Sequence, residues 1–151
     1  MRKNKSGFTL IELLIVIAVI GLLAAVVVAS LNTAKNKSAD SAVKEAMHSI
    51  RNQADLYYLA QTPNTYGANV TACTTASVFT DSIVTSARAQ ILTQAAAGAT
   101  MNCATSTDGL KWALSVSALK QAGTSWCIDS SAFFGASKTA QTSGANQGTC
   151  Q

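Results

Sequence analysis

Several residues in this chain have the types or spacing to do chemistry. Glu12 lies inside an apolar run, Gly7-Phe8-Thr9-Leu10-Ile11-Glu12-Leu13-Leu14-Ile15-Val16-Ile17-Ala18-Val19-Ile20, and from Leu13 to Ala29 no charged or strongly polar residue follows. A carboxylate at the centre of such a segment costs roughly 2.5–3.5 kcal/mol on membrane-insertion scales, so it marks function by default. Four cysteines stand at 73, 103, 127 and 150, with no C-x-x-C pair, and the one histidine, His48, lies far from them. That spacing argues against zinc and for two disulfides formed in an oxidising compartment. Asp129-Ser130-Ser131 offers one acid with hydroxyls, far below the ligand density of a calcium site, and reads as a turn. No nucleophile–base–acid set, P-loop, Gly-rich dinucleotide turn or metal-spaced cluster occurs. The reading is therefore of a non-enzyme with no cofactor and no metal.

The elements that position these residues follow from hydropathy and charge. Residues 8–29 make a helix about 33 Å long at the standard rise, which matches a bilayer hydrocarbon core. Arg2, Lys3 and Lys5 precede Gly7 and should stay cytoplasmic, with the rest of the chain outside. The formal net charge of +4 owes most to those three, since the other 8 basic residues face 7 acidic ones. The remaining basic residues are scattered, so no nucleic-acid footprint is evident. Charged residues are 12% of the 151, well below the usual quarter, which suits an exported surface rich in small polar residues.

Three readings of the N-terminus compete. A secretory signal cleaved near Ala29-Ser30 fits poorly, because the apolar run is long and carries Glu12. An uncleaved anchor explains length but not the acid. A leader cut between Gly7 and Phe8 creates a new amine, positively charged near neutral pH, one helical turn from Glu12. That amine, from the same or an adjacent chain, could neutralise the carboxylate. A buried pair of this kind adds little stability, while either partner alone is expensive, so it acts as a registry device.

On these residues, Lys5-Ser6-Gly7-Phe8-Thr9-Leu10-Ile11-Glu12-Leu13 resembles the prepilin signature of type IV pilins and the related pseudopilins, with a short leader like the type IVa class. The resemblance is close over residues 1–31 and extends by pattern to about 60. It implies that a prepilin peptidase cuts after Gly7 and methylates the Phe8 amine. It also implies a precursor that is single-pass in the cytoplasmic membrane, lies in the lipid bilayer with its N-terminus inside, and is then added to a helical homo-oligomeric filament by a membrane assembly platform. The product is an extracellular pilus of adhesion, motility or uptake. Gly21 stands where the family has a helix-weakening glycine. Ala29 stands where many of its members have proline, and one glycine alone costs only about 1 kcal/mol relative to alanine.

Beyond Ala29 the helical pattern continues as a narrow apolar stripe through Leu31, Ala34, Ala39, Ala42/Val43, Ala46/Met47, Ile50, Ala54 and Tyr57/Tyr58. Asp40 four before Lys44, and Glu45 and Asp55 near Arg51, suggest side-chain pairs along the helix. One helix from Phe8 to Gln61 is expected. His48 reads as a solvated or packing histidine, and the two tyrosines as core packing. Pro63 to Gly67 signals a loop. A short helix capped by Thr80 or Asp81 should end near Gly98. Lys111–Leu119, with Trp112, Leu114, Val116 and Ala118 on one face, reads as a half-buried strand. It is joined through Gln121-Ala122-Gly123-Thr124 to a second strand, Ser125–Phe134. Residues 136–149 need Cys150 to tie them down. Of three possible pairings, Cys73–Cys103 with Cys127–Cys150 closes two local loops and is favoured; Cys73–Cys127 with Cys103–Cys150 stays open.

The fold class expected is α+β, a long N-terminal helix packed on a small antiparallel sheet. The segments are a leader 1–7, a membrane and filament-core helix 8–29, its amphipathic continuation 30–61 and a disulfide-tied head 62–151. The function expected is a pilus subunit. Its rivals are a pseudopilin of a type II secretion system and a monomeric membrane-anchored binding domain.

Overall fold

The computed structural model describes residues 7–67, 69–136, 138–144 and 147–151; Arg2, Lys3 and Lys5 of the expected leader lie outside the described residues. The chain divides into two compact units, one up to Lys35 and one from Asn36. Helix α1, Leu10–Ala60, contributes to both. In the first unit it is a run of leucine, isoleucine, valine and alanine whose side chains are exposed. Its span is long and apolar enough to cross a membrane.

In the second unit α1 changes character. Ala39, Val43, Ala46, Met47, Ile50 and Ala54 are buried at three- and four-residue steps, which puts them on one helical face. The helix stops at Ala60, where Gln61 N–H donates to Tyr58 O (3.3 Å) in a tightened last turn. Thr62 precedes Pro63, a position that disfavours helical backbone.

The stripe packs on a four-stranded antiparallel sheet in the order β1-β2-β3-β4. The strands are β1, Met101–Thr105; β2, Trp112–Val116; β3, Trp126–Asp129; and β4, Phe134–Ala136. Cys103 lies opposite Leu114, Leu114 opposite Ile128, and Ile128 opposite Phe134. These residues, with Trp112, Val116, Met47 and Ile50, form one core. Helix α2, Ser82–Gln94, adds Val84, Ala87 and Ile91 to it.

The head departs from the sequence reading in several places. The expected hairpin is a four-stranded meander. Ser125–Phe134 is not one strand, because Asp129 breaks it. Asp129 Oδ1 accepts from Ser131 N–H (2.9 Å), Ser131 Oγ–H (2.7 Å) and Phe133 N–H (3.1 Å), and Ala132 takes a left-handed φ of 68°. The chain therefore turns before β4. Strand β2 is buried on both faces rather than half-buried. Its second face lies under the C-terminal segment: Ala140 N–H donates to Ser115 Oγ (3.0 Å), and Ala140 packs with Ala113 and Cys127. α2 ends at Gln94 instead of near Gly98, and its cap is Asp81, whose Oδ1 accepts from Ile83 N–H (2.9 Å) and Val84 N–H (3.3 Å).

Asp40, Lys44 and Arg51 of α1 each contact the head. Asp40 is buried, and its carboxylate accepts from Gln121 N–H (3.1 Å) and Ala122 N–H (3.1 Å) in the β2–β3 turn. Lys44 Nζ sits 4.1 Å above the Trp126 ring. Arg51 donates to Asp129 O (3.3 Å) and to Phe133 O, bracketing the β3–β4 turn. His48 stacks on Phe134 with ring centroids 4.0 Å apart, and Tyr58 lies 4.7 Å from Tyr66. Both are packing contacts.

Cys73 is bonded to Cys103 and Cys127 to Cys150. The second bond fastens the C-terminal segment, whose Thr139 and Gln151 exchange backbone hydrogen bonds (2.8 and 3.0 Å). Cys150 N–H also donates to Asp129 Oδ2 (2.9 Å).

Two expectations test these clamps. Asp40→Ala strands two turn N–H groups and should destabilise the chain by about 1–3 kcal/mol, measured by chemical unfolding in detergent; Asp40→Asn, which keeps a carbonyl acceptor, should cost less. In the β1–β2 turn, the Ser106 hydroxyl first and then Leu110 N–H hold the Asp108 carboxyl below its usual range. A depressed folded pKa stabilises above the unfolded value, and the contribution is lost as pH falls through the folded one. Ser106→Ala should therefore raise the Asp108 midpoint, as followed by NMR titration of its carboxyl carbon.

Candidate functional site

The first helical turn collects the residues singled out by chemistry. Gly7 and Phe8 precede the helix in extended, exposed chain, with Phe8 84% exposed. Thr9 sits at the N-cap and Glu12 three residues on, inside the first turn. Thr9 N–H and the Thr9 hydroxyl both donate to Glu12 Oε2 (2.8 Å each), and Glu12 N–H donates to Thr9 Oγ1 (3.3 Å). This reciprocal pattern is a capping box, which satisfies backbone donors that a helix start leaves unpaired.

Glu12 thus has a partner within its own chain, independent of any new amine. The sequence reading gave it only the amine. The missed signal was present: Thr9-x-x-Glu12 ahead of an apolar run is the capping-box spacing. The two roles are compatible. An ionised carboxylate is an acceptor only, with about four lone-pair sites on two oxygens, and Thr9 fills two at Oε2. Oε1 remains to accept from an ammonium group.

Gly21 lies within α1, and a β-carbon built there meets nothing within 4 Å. Packing inside this chain therefore does not require glycine at that position. The four cysteines are all in disulfides. Asp129 serves the β3–β4 turn and the C-terminal segment, and among the described residues no group of three or more His, Cys, Asp or Glu side chains could hold a metal ion.

Removing the cap tests the geometry. Thr9→Ala should cost the helix start about 1 kcal/mol, with Thr9→Ser close to the parent. Amide exchange at Leu10 to Leu13 in micelles should quicken for Thr9→Ala, while exchange at Ile50 stays unchanged.

The sequence has counterparts among known proteins. The prokaryotic N-terminal methylation motif matches residues 2–28. Over 70 residues the chain is 39% identical to the type IV wide pilus major component of Thermus thermophilus, a match covering 46% of this chain and 52% of that protein. The chain therefore spans about half the length of the curated relative it matches. No solved structure gives a significant match. By its methylation motif, by a long apolar helix leading into an antiparallel sheet, and by this relative, the chain is type IV pilin-like.

Proposed function

We propose that this protein is the structural subunit of a type IV pilus filament. The observation that carries the reading is the first half of α1, where side chains from Phe8 to Leu31 are exposed around a carboxylate held at the helix start. Such a surface needs a cover, and two covers in succession suit it. The bilayer takes the precursor, N-terminus inside. Copies of the same helix then take the assembled subunit.

In this reading residues 1–7 are a leader removed by a prepilin peptidase, and Phe8 becomes the N-methylated terminus. The helix over 8–29 forms the filament core, 30–61 joins it to the head, and residues 62–151 form the outer surface. Glu12 accepts from the Phe8 amine of a neighbouring subunit and sets the stagger. Gly21 lets the core helix yield during addition, at about 1 kcal/mol relative to alanine. Energy for polymerisation comes from the membrane assembly platform, since this chain carries no nucleotide-binding motif. The relative's description as a wide-pilus component favours the pilus over a secretion pseudopilin.

Mass spectrometry of the mature protein should find a chain beginning at methyl-Phe8; an intact Met1 or a start at Ser30 overturns the processing. Glu12→Ala should leave the chain in the membrane fraction and strip it from sheared extracellular filaments. Normal filaments from Glu12→Ala would end the registry role.

A further inference from the structure

In the unit from Asn36 onward, the end of α1, the β1–β2 turn and the β3–β4 turn line an open surface cavity of about 470 Å³. Small-molecule sites occupy roughly 300–1,000 Å³ and combine an apolar wall with a few fixed polar groups. Tyr58, Tyr66 and Leu110 give this cavity its apolar side, and Lys111, Ser130, Ser131 and Thr149 its polar side.

The wall is fixed. Tyr66 N–H donates to Gly109 O (2.8 Å), Tyr66 O accepts from Val78 N–H (2.9 Å), and the Tyr66 ring packs on Tyr58. Burial first, then the Asp55 carboxylate, push the Tyr66 phenol above its usual range, so it stays a neutral hydroxyl at physiological pH.

The polar side favours donors. Lys111 is exposed and carries three N–H donors and no acceptor. Ser130 Oγ accepts from Trp112 N–H (3.3 Å), which leaves its own proton to donate. Ser131 Oγ–H is already given to Asp129. The neighbouring acids are otherwise engaged and none lines the cavity. Asp129 serves Ser131, Phe133 and Cys150. Asp108 serves Ser106 and Leu110 and lies within Coulombic reach of Lys111, without lining the cavity, and Asp55 acts on Tyr66. A positive donor beside a neutral donor, facing an apolar wall of ring size, complements an anion carried on a ring.

We propose that this cavity binds a ring-sized carboxylate, with Lys111 Nζ and the Ser130 hydroxyl on the carboxylate and Tyr58, Tyr66 and Leu110 against the ring. Two sources share that chemistry, a hydroxylated sugar acid and an aromatic acid. The inference concerns the head alone and does not depend on polymerisation.

The test uses the full chain in detergent micelles, titrated with galacturonate and with benzoate. Galactose and benzyl alcohol, which lack the carboxylate, are the matched controls. Amide shifts of Lys111, Ser130 and Ser131 report binding. One acid should give saturable shifts where its neutral counterpart does not, and which acid does so identifies the source. Lys111→Gln should weaken that acid about tenfold, the loss of one charged hydrogen bond. The variant should fold normally, because the hydrogen bonds of Lys111 in the turn are made by its backbone, through Ser106 Oγ (2.9 Å) and Ser106 N–H (3.0 Å), and its side chain acts there only through charge on exposed Asp108. Equal binding by a neutral counterpart, no saturable shift with either acid, or parent-like affinity in Lys111→Gln would each overturn the proposal.

Discussion

Moving a large aliphatic or aromatic side chain out of water is favourable by roughly 1.5–3 kcal/mol. Sixteen such side chains between Phe8 and Leu31 are exposed in this chain. Together they represent tens of kcal/mol, on the order of several times the net stability of a typical domain. No arrangement of the head could compensate for leaving that surface in water. The state of α1 is therefore set by its cover, and the helix itself is the natural form under either cover, because it satisfies its own backbone hydrogen bonds in an apolar medium.

The same helix also supplies one face of the head's core. Its second half contributes Val43, Met47 and Ile50, all but inaccessible to water, against Phe79, Ile91, Trp112, Leu114, Leu119 and Ile128 from the rest of the head. Polar clamps and covalent ties then hold the turns and the C-terminal segment. Asp40, Arg51 and Asp129 each spend charge on backbone groups of turns. Such clamps differ from exposed ion pairs along a helix, since Asp40 and Asp129 are buried and their carboxylates need these hydrogen-bond donors. The two disulfides close separations of 30 and 23 residues, each contributing about 3–4 kcal/mol in the chain-entropy model. Sparse charge and small polar residues on the surface are compatible with this design, because stability does not rest on surface salt bridges.

What could be read from sequence follows from the range of each signal. The span of α1 is legible because apolar spacing persists and Pro63 ends it. The α2 cap at Asp81 is legible because capping is local. Strand β1 is not: Met101-Asn102-Cys103-Ala104-Thr105 carries little alternation, and its place comes from pairing with β2 and from Cys103. The turn at Asp129-Ser130-Ser131 is legible from one acid beside hydroxyls, yet the expected strand Ser125–Phe134 runs through it, because a carboxylate acting on residues two and four positions ahead leaves no mark on hydropathy. Burial of the second face of β2 was illegible, since the cover comes from residues beyond Thr139. Asp40 looked like a surface partner for Lys44, and only the fold brings Gln121 to it. At the N-terminus Glu12 stood out by its cost, while its bond to Thr9 needed the three-residue spacing to be read as a cap.

That cap changes the energetic meaning of Glu12. A carboxylate in the first turn lies where the helix dipole favours negative charge, typically by 0.3–1 kcal/mol when exposed and by up to about 2 when partly buried. Thr9 adds two donors at one oxygen. These terms offset much of the cost of the acid, which is roughly 2.5–3.5 kcal/mol for a helix centre, and they leave Oε1 without an ammonium partner. On the proposed reading, a lone subunit in the bilayer keeps the remainder as an unfilled demand for a cation. The terminal amine of a neighbour meets that demand at one stagger only, since a one-residue slip moves the carboxylate about 100° around the helix. The cap makes the acid tolerable while the subunit waits, and the unmet remainder makes addition at the correct register downhill.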